Sequence, residues 1–149
     1  MSPLAHNPAL AAYAVACVAL VGIFFFLAMQ TGSVRSRARA VVNPEDPRVY
    51  KGASVVEVEH PDVQRVKRAH LNLIENTVPF FAVGYLFALT EPGLVLASIL
   101  YGIFVFARVV HAYVYLTARQ PVRSGAWMAG LLVVVVMAVA VLRSIAINL

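Results

Sequence analysis

Three short sets of polar residues in this chain recur at the spacing of a helical turn. Arg68, Asn72, Glu75 and Pro79 follow one another at intervals of four, three and four, which lines them up on one face of a helix. Arg108, His111 and Tyr115, at intervals of three and four, share a face in the same way, and Arg123 with Ser124 stands just ahead of Trp127. Guanidinium groups present rigid paired donors to carboxylates, and Glu75 among them can accept an ammonium group. A ligand matched to this set carries several carboxylates and one amine. Each set also has a purely structural reading. Arg68 can pair with Glu75, a lone His111 is more often a hydrogen-bonded structural group than a catalyst, and Tyr115 and Trp127 suit the aromatic belt of a membrane interface. The binding reading is favoured because all three sets gather toward the same ends of three helices.

Those helices have to sit in a membrane. Of the 149 residues 61% are hydrophobic and 13% charged, against about 45–50% and about 25% in soluble domains, and a water-soluble core of this size cannot absorb so much apolar surface. Crossing a bilayer as a helix takes about 20 mostly apolar residues. Pro8 to Met29, Pro92 to Ala118 and Gly125 to Leu142 each supply such a run. The valine run Val133 to Val136 would suit a strand in water, but hydrocarbon leaves a strand edge unpaired, so it is read as helix. The second span is unusual. Only Thr77 to Thr90 is cleanly apolar, with polar helix from Asp62 to Asn76 leading straight into it. At 1.5 Å per residue that helix is about 43 Å long and must project beyond the hydrocarbon or be shielded by protein. His60, Pro61 and Asp62 mark its start.

The expected fold is therefore an all-α integral membrane protein, a single domain of four helices at about 8–30, 62–90, 92–118 and 123–146, with a loop at about 31–61. A first apolar run with no preceding Lys or Arg reads as a retained span instead of a cleaved signal. Arg35, Arg37, Arg39, Arg48, Lys51, Arg65, Lys67 and Arg68 lie between the first and second apolar cores, and Arg119 and Arg123 between the third and fourth. The positive-inside rule then sets both basic loops in the cytoplasm and both termini opposite. These residues account for the net charge of +5 as membrane-flanking groups that contact lipid, so no nucleic-acid partner is expected. The single Cys17 excludes an internal disulfide and a cysteine metal site, and no metal is expected.

The stretch from Val63 to Phe81, with Arg65, Lys67, Arg68, Ala69, His70, Leu71, Asn72, Leu73, Ile74, Glu75 and Asn76 followed by Pro79 and Phe80, closely resembles the second helix of the membrane-associated proteins in eicosanoid and glutathione metabolism, the MAPEG family. Asn43, Pro44, Glu45 and Asp46 in the first loop, Arg108, His111, Tyr115 and Leu116 in the third span, and Pro121 with Arg123 opening the fourth extend the resemblance, in order, over residues 8–145. It implies a homotrimer that holds glutathione between neighbouring subunits near the cytosolic face. By position, Arg35, Arg68, His70, Asn72, Glu75, Arg108, His111 and Tyr115 are implied to bind the tripeptide and Arg123 to stabilise its thiolate. A free thiol, with a pKa of about 8.5, is mostly protonated at neutral pH, and an adjacent guanidinium favours the nucleophilic form.

Within the family, Leu71 and the run Tyr115, Leu116, Thr117 follow the glutathione transferase pattern. Ser124 beside Arg123, together with Asp46, follows the prostaglandin E synthase pattern and is implied to take a catalytic part. Trp127 stands where that branch carries tyrosine, and the transferase's stress-sensing loop cysteine is missing, so activation by thiol modification is not expected. The implied activity is a membrane glutathione transferase, with glutathione peroxidase activity, acting on hydrophobic electrophiles or lipid hydroperoxides from the bilayer. A glutathione-dependent isomerase of the prostaglandin E synthase type and a non-catalytic lipid-binding scaffold are the alternatives. The implied location is a multi-pass protein of a bacterial inner membrane or the endoplasmic reticulum, its active site facing the cytoplasm.

Overall fold

Apolar side chains alone do not hold helices together in lipid, whose tails are as apolar as leucine; close packing and internal hydrogen bonds do. The computed structural model describes residues 6–148 and is built on that principle. Its helices are α1 (Pro8–Ala38), α2 (Pro61–Leu89), α3 (Leu94–Leu116) and α4 (Gln120–Asn148), and among the described residues these four are long and apolar enough to cross a membrane. The valine run of α4 is helical throughout. α1 and α4 each pack against both α2 and α3.

The centre of the bundle is aromatic. Phe80 of α2 stacks on Phe104 of α3 with centroids 4.1 Å apart, a contact that contributes about 0.5–1.5 kcal/mol beyond area burial. Tyr101 and Tyr13 complete the cluster. Their hydroxyls, which would be costly in hydrocarbon, donate to the carbonyl oxygens of Gly84 at 2.8 Å and Phe81 at 2.9 Å. A second group, Leu27, Val66, Ala69, Leu73 and Ala112, fills the other half of the bundle.

The ends of the helices are fixed by identifiable groups. Asn7 caps α1, its Oδ1 accepting from the Leu10 amide at 2.9 Å, while its Nδ2 donates to the carbonyl of Ala88 at 2.9 Å and stitches the start of α1 to the end of α2. His60 caps α2, accepting from the Asp62 amide with Pro61 in the first turn, as the sequence implies. α1 continues past residue 30 to Ala38, because a helix propagates on backbone hydrogen bonds whether or not its residues are in lipid. Arg35 and Arg37 in its last turn face the negative end of the dipole, and Arg39, with φ of 49°, terminates it. The turn into α3 uses Gly93 at φ +80°, so α3 begins at Leu94 and not at Pro92.

The segment between α1 and α2 holds a short parallel pairing of β1 (Ala40–Val41) with β2 (Ser54–Val55) and a single 3-10 turn, Asp46–Arg48. Glu59 locks it to the bundle. Its carboxylate accepts from Arg35 Nη2 at 2.8 Å and Nε at 3.2 Å through one oxygen, and from Lys67 at 2.9 Å through the other. Burial opposes ionisation of this carboxyl, but the hydrogen bonds from Lys67 and Arg35 outweigh it and hold Glu59 below its ordinary range.

Two outcomes are expected. Asn7→Ala removes a cap and an interhelical bond and should cost about 1–2 kcal/mol, read as a lower unfolding temperature in detergent; an unchanged temperature would show that the stitch carries no load. Because the pKa of Glu59 is depressed, its contribution is complete above the ordinary value of about 4.3 and is lost as pH falls below it. Limited proteolysis of residues 39–58 should therefore accelerate on acidification through that window, and Glu59→Gln should show the faster cleavage already at pH 7; equal cleavage of both proteins at pH 7 would argue against the lock.

Candidate functional site

Asn72, His111, Tyr115, Arg123, Ser124 and Trp127 line an open cleft of about 420 Å³ where α2, α3 and α4 meet. Three helices thus deliver one polar site at the end of the bundle that carries the long loop. The Arg123 guanidinium lies over the Tyr115 ring, 4.6 Å from its centroid, a cation–π contact that orients the charge without neutralising it. Tyr115 in turn packs against His111, centroids 5.6 Å apart, and His111 is only 5% exposed. The arrangement presents a fixed positive charge, a hydroxyl and an amide to whatever occupies the cleft.

Trp127 also walls a second, smaller cleft of about 260 Å³, with Glu75, Asn76 and Pro79 on one side and Phe104 and Leu131 among its apolar lining. Pro79 has no amide hydrogen, so the Glu75 carbonyl loses its usual helical partner at this point. The polar cleft and this more apolar one therefore meet at a single side chain.

The other sequence-derived residues are not all gathered in one chain. Asn72 accepts from Asn76 Nδ2 through its carbonyl at 2.8 Å and its side chain at 3.3 Å. Arg68 is exposed, with Nη1 donating to Gln64 at 3.3 Å, and Glu75 is exposed too. His70 packs its ring against Phe24 at 5.7 Å. Arg35 is occupied by Glu59, and Asp46 accepts from Asn43 Nδ2 at 3.2 Å within the loop; neither lines the cleft. Arg108, 1% exposed, does not line it either. Its Nη2 donates to the backbone carbonyls of Ala126 at 2.9 Å and Trp127 at 3.4 Å.

Sequence reasoning missed three participants. Glu59 holds Arg35 and is itself held by Lys67, and nothing in their spacing marks an ion pair that depends on how the loop docks. Gly130 is the third. A Cβ there would lie 2.9 Å from Cζ of Arg108, so a glycine opposite a buried arginine was the available signal. A separate basic cleft of about 410 Å³ near Arg37, His60 and Arg65 lacks comparable convergence, since Arg65 already faces Asp62 at 3.6 Å.

Comparison with known proteins identifies the family. The MAPEG family model matches residues 13–143. Microsomal glutathione S-transferase 1 of Rattus norvegicus is 37% identical over 148 residues, 97% of this chain and 96% of the relative. Prostaglandin E synthase of Macaca fascicularis is 36% identical over 119 residues, 79% of this chain and 78% of the relative, and that of Homo sapiens is 35% identical over the same length. Four membrane-spanning helices, a polar cleft among three of them and a family match over most of the sequence lead to one conclusion: this chain is an integral membrane protein of the MAPEG family.

Proposed function

We propose that the protein is a membrane glutathione transferase whose thiolate-stabilising group is Arg123. The observation that carries this reading is the Arg123 guanidinium, held over Tyr115 and open to a cleft with Asn72, His111 and Ser124. Glutathione has two carboxylates, one ammonium and a thiol. Arg123 favours transfer of the thiol proton to solvent water at the open cleft by placing a cation beside the sulfur, and Ser124 can donate to the same sulfur. The thiolate's electron pair then forms a bond to carbon of a hydrophobic electrophile as a leaving group departs with its own pair. The apolar cleft beyond Trp127 suits an electrophile or lipid hydroperoxide arriving from the bilayer, and the peroxidase activity belongs to this proposal.

Arg35, Asp46, Arg68, His70 and Glu75 join the reading through assembly. Arg68 and Glu75 are exposed on α2, and Arg35 and Asp46 lie on the loop side of the chain. A homotrimer that sets one subunit's loop side against another's cleft would complete the site, with Asp46 and Ser124 assisting catalysis. The basic loops are assigned to the cytoplasm, with both termini on the other side, on the charge distribution.

A second reading, an isomerase of the prostaglandin E synthase type, is favoured by Ser124 at the cleft beside Arg123 and by the relatives of that name. Conjugation of chlorodinitrobenzene measured against endoperoxide isomerisation separates the two.

The primary test is glutathione binding to detergent-purified protein, followed by difference absorbance in the thiolate band. At pH 7, where a free thiol of pKa about 8.5 is mostly protonated, the wild type should show bound thiolate. Arg123→Ala should lose that signal below about pH 8 and lose turnover with it. Full turnover in Arg123→Ala would remove the mechanism, and no binding at millimolar glutathione would leave the lipid-binding scaffold as the better description.

A further inference from the structure

Arg108 is the largest side chain in the bundle that is almost wholly buried, and it touches neither of the clefts that Trp127 separates. From α3 it reaches across to α4, where Nη2 donates to the carbonyls of Ala126 and Trp127. These belong to the helical turn that follows Arg123. The guanidinium lies 5.4 Å from the centroid of the Phe104 ring, and Gly130 makes the approach possible, because a Cβ at that position would collide with Cζ and Nη2. Nε and Nη1 are buried with no hydrogen-bond partner among the described residues.

An unsatisfied buried cation is expensive, and well-packed apolar residues in its place are often neutral or stabilising. Packing alone therefore does not account for Arg108. What it does supply is a fixed point. α3 holds α4 twice, once through Arg108 on the backbone carbonyls and once through Tyr115 under the Arg123 guanidinium. Two points of attachment set both the height and the rotation of the first turns of α4, and so the place of the Arg123 charge.

We infer that Arg108 is a positioning residue that fixes Arg123 through the α4 backbone, with Gly130 as its required partner, and that it is not a glutathione ligand. The inference deepens the transferase reading and rests on it for its kinetic consequences.

The test uses the full chain in detergent and the variants Arg108→Met, Arg108→Lys and Gly130→Ala. Trp127 is the only tryptophan, so its emission maximum and acrylamide quenching report the setting of α4 without any glutathione. Arg108→Met and Gly130→Ala should both shift these signals. Since misplacement by about 1 Å can cost about a hundredfold, kcat should fall by up to about that factor while KM for glutathione stays within about twofold. The rise of the thiolate signal with pH should move to higher pH, and Arg108→Lys should recover part of the loss. An unmoved Trp127 signal in both variants overturns the inference, as does a KM raised about tenfold with kcat preserved, the mark of a lost ligand. Should Arg108→Met fail to fold, Gly130→Ala, which keeps every charge, decides alone. If the wild type neither binds nor turns over glutathione, the transferase reading falls, while the Trp127 signals still decide whether Arg108 and Gly130 set α4.

Discussion

Hydrocarbon offers no hydrogen-bond partner, so a polar group this chain carries into the bilayer is costly unless it finds one inside the protein. That constraint explains why the Tyr13 and Tyr101 hydroxyls end on backbone carbonyls of α2 and why Asn76 turns back onto Asn72. It also explains the clustering at one end of the bundle. Residues that would be punished singly are tolerated together where three helices converge and water has access.

The same constraint separates the two arginines that matter most. Arg123 lies at the mouth of the cleft, with its charge balanced on an aromatic face and open to a ligand. Arg108 lies deeper, with two backbone carbonyls as its acceptors and, among the described residues, no partner for two of its nitrogens. One guanidinium is arranged for chemistry and the other for geometry, although sequence spacing presents them as the same kind of residue.

Much of this was legible in the sequence because lipid simplifies the code. Long uncharged runs can only be helices, so the spans, the polar first half of α2 and the start signal at His60 and Pro61 could be read directly. The convergence of Asn72, His111, Tyr115 and Arg123 followed from helical spacing and the shared ends of their spans. What could not be read was contact across distant segments. Glu59 reaches Arg35 only because the loop folds back, and Arg108 meets Ala126 only because Gly130 leaves room. The length of α1 was hidden for another reason: hydropathy marks where a helix leaves the hydrocarbon, and α1 goes on as a helix to Ala38.

α1 is also secured differently from its neighbours. Asn7 fastens one end to the last turn of α2 and Arg35 fastens the other through Glu59, whereas the stretch between them faces α3 across small residues such as Ala19 and Gly22 beside an open apolar groove. Between those ends it is held as well, by the Tyr13 hydroxyl on the Phe81 carbonyl and by the buried Ala16, Leu20 and Leu27. The loop beyond α1 therefore takes its position from the whole length of that helix and not from the last turn alone.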